Sequence, residues 1–212
     1  MIIYSINASP RKNWNDAQLL MKFKNGFLSV LPDTDYREIN LYDLNYKGCY
    51  SCFGCKLKSL ENIRCVVKDD IYDILYNIRH CNGFVYASPI YFSDANGELK
   101  SFFERLMYPG PVESQIPIYA IYTMNADEEK LEKVIRPALN TIKKSLRQNF
   151  KVDVEEFFAF KTLQRNNQEL YRPSSHTNPQ ERIERHETQW PIDLQSAYEA
   201  GIKFANKILT NK

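Results

Sequence analysis

The chain opens on a short apolar, β-branched run, MIIYSIN, which stops at the polar stretch ASPRKNWND. AQLLMKFKNGFLSVL follows with its apolar residues at helical spacing, so this start reads as strand, loop and helix. DYREINL alternates like a second strand, and DDIYDILYNIRHC starts with an acidic pair and continues at helical period. GFVYASPI is almost continuously apolar, the pattern of a parallel strand buried on both faces. GELKSFFERLM predicts a helix, IPIYAIYTM a fourth strand and DEEKLEKVIRPALNTIKKSLRQNF a long helix. VDVEEFFAF predicts a fifth strand, and DLQSAYEAGIKFANKIL closes the chain as a helix. Strand and helix thus alternate five times, and right-handed crossovers turn that alternation into a doubly wound α/β sheet with helices on both faces. One stretch stands outside it: KTLQRNNQELYRPSSHTNPQERIERHETQWP, a polar arm at about 161–191, before the last helix. Arms of that length inside a single domain are usually functional or partner-binding.

Composition narrows the class without naming a ligand. The 212 residues are 43% hydrophobic and 25% charged, enough for one domain, residues 1–212, with a sizeable core. Lys and Arg number 28 against 26 Asp and Glu, and no block of one sign suggests a nucleic-acid partner. No signal-peptide layout and no apolar run of bilayer length is visible, so a soluble cytoplasmic protein without a membrane partner is expected. The five cysteines, four of them between positions 49 and 65, read as reduced thiols or metal ligands rather than a disulfide framework. His80, His176 and His186 are scattered, and no HExxH or nucleophile motif supports hydrolase chemistry.

In an open α/β sheet the ligand site lies beyond the carboxyl ends of the strands. SPRKNWND, residues 9–16, leaves the first strand there and enters a helix N-terminus. Free N–H groups, Arg11, Lys12 and the side chains of Ser9, Asn13 and Asn15 suit a phosphate, while Asn15 or Asp16 as a plain helix cap is the structural alternative. The Walker and dinucleotide glycine patterns are both missing from this loop. SPIYFSDANGELKSFFER ends the third strand, and Pro89, Ile90, Tyr91 and Phe92 offer rigid backbone and flat surface for a planar ring. In TMNADEE, Asn125 and Asp127 read as the start of a helix, and Cys81 as a small core residue.

NASPRKNWND, set beside a Gly-Ser-Pro-Arg-Lys-x-Gly-Asn-Thr pattern, resembles the flavodoxin-like NAD(P)H-dependent FMN reductases, as do GCYSCFGCK, CVVKDDI, ASPIYFSDANGELKSFFERL and HETQWPIDLQSAYEAG. The cysteine-bearing branch related to iron–sulfur flavoproteins is the nearest likeness, and it covers nearly the whole chain. The resemblance implies a five-stranded parallel sheet of order 2-1-3-4-5, with FMN phosphate held by Ser9, Arg11, Asn13, Asn15 and Asp16 and its ring by Pro89, Ile90, Tyr91 and Phe92. It also implies NAD(P)H as co-substrate and a flavin, quinone or other small electrophile as acceptor. No protein residue is expected to carry the chemistry itself, and relatives suggest a homodimer or tetramer, for which the 161–191 arm has the reach.

Three positions depart from the pattern: Ala8 and Trp14 stand where it has glycine, and Asp16 where it has threonine. An ionised Asp16 about 4 Å from a phosphate would be repelled by about 4 kcal/mol at an effective dielectric of 20. Alternatively Asp16 points away and leaves the phosphate to its neighbours. Cys49, Cys52 and Cys55 have the spacing of cluster ligands, with Cys65 as a fourth after a longer loop. A [4Fe-4S] cluster, zinc and free thiols all remain open for them. The chain thus reads as an FMN-dependent NAD(P)H oxidoreductase, with an iron–sulfur flavoprotein electron carrier and a non-enzymatic flavodoxin-fold binding module as alternatives.

Overall fold

The structure, a computed structural model, describes residues 1–59, 63–165, 170 and 178–210. Five parallel strands form its centre: β1 (Ile2–Asn7), β2 (Asp35–Asn40), β3 (Gly83–Tyr91), β5 (Ile118–Thr123) and β6 (Glu155–Ala159), in the order β2-β1-β3-β5-β6. That is the expected doubly wound order. The addition is β4, Asp94–Ala95, two residues that fold back antiparallel onto Tyr91 and Ile90 of β3.

Strand alternation sorts the core into two halves. Tyr4 and Ile6 of β1, Phe84 and Tyr86 of β3, and Ile118, Ala120 and Tyr122 of β5 face one side. There they meet α2 (Tyr72–Ile78), α3 (Gly97–Met107) and α5 (Arg136–Phe150). Ile3, Val85, Ala87, Tyr119 and Ile121 face the other side, against α1 (Asn15–Val30) and α7 (Trp190–Thr210). Those two helices cross at glycines. A Cβ on Gly26 would lie 1.9 Å from the Tyr198 carbonyl oxygen, and one on Gly201 would lie 2.0 Å from that of Phe23.

The long helix of the fourth unit is built in three pieces. A single turn, α4 (Glu128–Lys130), is capped by the Asp127 side chain, which accepts from the Lys130 N–H at 2.9 Å, as the sequence suggested. A wide π turn at Leu131–Ile135 then leads into α5, whose second residue, Pro137, brings no N–H to the ladder. Helix α2 is shorter than its periodicity predicted, because Asp69 is drawn away to Arg105 and Asp70 accepts from the Asn45 N–H at 2.7 Å. Part of the polar arm is also helical: α6, Pro179–Thr188, starts at an Asn178 cap, and Trp190 and Pro191 belong to α7. Residues 166–169 and 171–177 of the arm, His176 among them, lie outside the described residues. No helix among the described residues is long and apolar enough to cross a membrane.

Candidate functional site

Loop 8–14 leaves the carboxyl end of β1 and is fixed from both sides. The Ala8 N–H donates to the Ala87 carbonyl at 2.9 Å, and the Ser9 N–H to Asn7 Oδ1 at 3.0 Å. Ser9 Oγ in turn accepts from the Arg11 N–H at 3.2 Å, so a buried hydroxyl sits at the turn. The helix cap differs from expectation. Trp14 occupies the cap position and makes no side-chain cap bond, because the side chains of Asn15 and Asp16 are engaged elsewhere.

Asn15 Nδ2 and Trp14 Nε1 both donate to the Leu163 carbonyl, at 2.9 and 3.0 Å, and Arg11 donates to the carbonyl of Gln164. A strap of chain after β6 therefore lies over the loop. The strap itself is anchored by Thr162, whose N–H donates to the Met124 carbonyl at 2.9 Å. Asn13 stays exposed, its carbonyl accepting from Gln18 Nε2 at 3.2 Å. Lys12 pairs with Asp43 at the surface.

Asp16 turns inward. Its two carboxyl oxygens accept from the Thr123 hydroxyl at 3.2 and 3.1 Å, and the residue is almost wholly buried. Burial raises its pKa from the ordinary 3.8 to about 7, against the opposing pull of Thr123, its own N–H and the Ser9 hydroxyl.

The end of β3 supplies the second wall. Ser88 and Pro89 are buried, Ile90 is half-buried, and Tyr91 and Phe92 are exposed. Phe92 and Ser93 take left-handed backbone, at φ of +49° and +66°, which throws the Phe92 ring fully into solvent. A side chain of that size outside any core is what a stacking surface for a planar ring requires. One residue that the sequence did not flag joins the two walls. Asn96, buried at the start of α3, donates through Nδ2 to the Ala8 carbonyl and accepts at Oδ1 from the Leu99 N–H at 3.2 Å. Its own N–H donates to Ser88 Oγ at 3.3 Å, so the phosphate-type loop and the ring-type loop share one anchor.

The cysteine loop forms a separate corner. Cys49, Cys52, Cys55 and Cys65 line one small cavity of about 20 Å³, open to solvent, together with Phe53, Val66, Arg105 and Tyr108. Arg105 organises it. Its guanidinium donates to Cys65 Sγ at 3.4 Å, to the carbonyls of Lys47 at 3.2 Å and Val67 at 3.0 Å, and to the Asp69 carboxylate. Partial burial, and then the neighbouring Cys65 and Cys49 sulfurs, push the Cys55 thiol up, with Lys56 opposing. Among the described residues no group of three or more Cys, His, Asp or Glu side chains is gathered closely enough to hold a metal ion. Cys81, as expected, is a core thiol that burial raises to about 12.

A doubly wound flavodoxin-type sheet, with a serine-bearing turn at the end of β1 and an aromatic turn at the end of β3, defines the class. The chain belongs to the NADPH-dependent FMN reductase family, whose model matches residues 1–126 and so spans both turns. It is similar to an iron–sulfur flavoprotein of Methanocaldococcus jannaschii, 29% identical over 105 residues, covering 50% of this chain and 51% of that one. An iron–sulfur flavoprotein of Clostridioides difficile is 31% identical over 119 residues, 52% of this chain and 51% of the other. The chain thus matches about half the length of these curated relatives. Among solved structures, an NAD(P)H:quinone oxidoreductase from Methanothermobacter marburgensis superposes with a TM-score of 0.69 at 16% identity, over 95% of this chain and 96% of that one, a likeness of fold.

The residues present fit FMN unevenly. The ring side is ready, with Phe92 and Tyr91 exposed beside the rigid Pro89. The phosphate side holds the expected donors, Ser9, Arg11 and Asn15, but turns them to protein acceptors.

Proposed function

We propose that the protein binds FMN between the loop of residues 9–16 and the turn of residues 89–92 and reduces a small electrophile, such as a flavin or quinone, with NAD(P)H. When bound, FMN supplies the redox chemistry, accepting hydride from a nicotinamide and delivering electrons to the acceptor. The protein's own part is to hold, orient and shield. Ser9, Arg11, Asn15 and the N–H groups at the start of α1 would hold the phosphate, and Tyr91 and Phe92 would cover the ring. Asn96 keeps the two walls in register.

The observation that carries this reading is Phe92: a fully exposed aromatic at a left-handed backbone position, on a turn bonded through Asn96 to the Ser9 loop. Anaerobic purification followed by an ultraviolet–visible spectrum, before and after adding FMN, tests it. Flavin bands that bleach when NADH or NADPH is added support the oxidoreductase. A colourless protein that leaves FMN fluorescence unchanged would put the flavodoxin-fold binding module in its place.

A second reading, an iron–sulfur flavoprotein that passes electrons to a partner, is favoured by the four cysteines lining one cavity. Because the thiols as placed do not form a ligand set, its test is iron itself: elemental analysis of anaerobic protein, with a broad visible shoulder beside the flavin bands. We propose a cytoplasmic protein that assembles as a homodimer or tetramer, the assembly being what the exposed Tyr91 and Phe92 support. A monomeric mass by light scattering at micromolar concentration would overturn the assembly.

A further inference from the structure

We propose that Asp16 makes FMN binding proton-linked: its carboxylate competes with the FMN phosphate for the same donors, so the phosphate is admitted as the carboxyl takes up a proton. This rests on the FMN reading above.

The geometry supports competition directly. Asp16 is the second residue of α1, where a phosphate at this turn would meet the free N–H groups of the helix. Its carboxylate is held there by the Thr123 hydroxyl at 3.1 and 3.2 Å, by the Ser9 hydroxyl and by its own N–H. Of these, the Ser9 hydroxyl and the N–H are donors that a phosphate at the turn would use. The remaining donors are turned the same way, with Asn15 on the Leu163 carbonyl and Arg11 on that of Gln164.

The groups around Asp16 offer an added charge little relief. From β5 comes only the neutral Thr123, and from the loop the neutral Ser9. The titratable group that feels the Asp16 charge is the Tyr91 phenol at the end of β3, on which Tyr42 and Arg11, the latter engaged with the strap, also act. Burial pushes the phenol up, Tyr42 and then, least of all, Asp16 add to it, and Arg11 opposes. An ionised Asp16 beside a phosphate dianion would set two like charges together, one of them on an almost wholly buried side chain, whereas a protonated carboxyl donates to a phosphate oxygen. The proton comes from solvent. Phosphate monoesters lose their second proton near pH 6, so over pH 7.0–8.5 the FMN phosphate is already largely the dianion.

The test is FMN and riboflavin affinity by fluorescence quenching across pH 7.0–8.5, for wild type, Asp16→Asn and Asp16→Thr. The proposal expects wild-type FMN affinity to fall more than tenfold over that range, roughly the proton-linkage limit. Riboflavin, which lacks the phosphate, is expected to bind with flat affinity. Both variants are expected to bind FMN with flat affinity and more tightly than wild type at pH 8.5. A flat wild-type FMN profile, a variant that keeps the slope, or a riboflavin profile with the same slope would each overturn the proposal and leave the FMN reading standing. No FMN binding by any of the three proteins at any pH would overturn both.

Discussion

Arg105 Nη2 donates to Asp69 Oδ1 at 3.0 Å, and the arginine is almost completely buried while doing so. The same guanidinium reaches Cys65 and the carbonyls of Lys47 and Val67, so one α3 side chain holds both flanks of the cysteine loop. Arg105→Ala leaves four acceptors behind, with Asp69 charged and half-buried. A loss of about 3 kcal/mol is expected by urea denaturation, with faster reaction of Cys65 toward an aromatic disulfide. Arg105→Lys, which keeps the charge but lacks the fork, is expected to fall between. An alanine variant as stable as wild type would show that the loop holds itself.

Phe92 separates binding from stability. Its ring touches no core and its backbone sits at φ of +49°, so Phe92→Gly removes no packing and relieves about 1 kcal/mol of strain. The variant is expected to melt at or slightly above the wild-type temperature while FMN affinity falls about tenfold, the value of one aromatic stack. A drop in melting temperature with unchanged affinity would assign Phe92 a structural role.

Asp16 also writes itself into the pH dependence of folding. The folded value of about 7 lies above the ordinary 3.8, so between those limits the folded chain keeps a proton that the unfolded chain has lost. Stability from this group therefore falls as pH rises from about 4 to 7, and the full penalty, roughly 4 kcal/mol, applies above 7. Asp16→Asn keeps an acceptor for Thr123 and has no charge to desolvate. It is expected to exceed wild type in stability at pH 8 and to lose most of that advantage by pH 5. Denaturant curves at the two pH values decide it, and an equal gap at both would refute the assignment.

The strands were legible because β1, β3 and β5 are compact apolar runs and β2 alternates, and both loops because each sits at a strand's carboxyl end, while the sheet order came from the family resemblance. The missed features depend on partners far away or on polar segments. Nothing near Asp16 announces Thr123, 107 residues on, and nothing near Trp14 announces the Leu163 carbonyl. Helix α6 is polar on nearly every face, with Arg182 its buried residue, so it carries no apolar stripe to read. The two-residue β4 follows from the left-handed Phe92 and Ser93, conformations that non-glycine residues seldom advertise.

The glycine crossing makes a sharper comparison. Alanine at Gly26 or Gly201 would drive a methyl into backbone that a rotamer change cannot clear, so each is expected to cost at least about 2 kcal/mol. Gly97, at the start of α3, has nothing within 4 Å of its Cβ position, and Gly97→Ala is expected to be neutral or slightly stabilising. Thermal melts of the three variants suffice. Equal effects at Gly26 and Gly97 would mean that α1 and α7 are not in backbone contact.

That crossing also sets a timetable. Helix α1, which carries the end of the candidate phosphate loop, packs its Phe23 and Phe27 against Phe204 of α7. At a synthesis rate of about 5–20 residues per second, α7 leaves the ribosome on the order of 10 s after α1. Throughout that interval the apolar face of α1 lacks its helical partner, and the nascent site is only half supported. The loop that α1 helps to build is therefore completed by the last helix of the chain to be made.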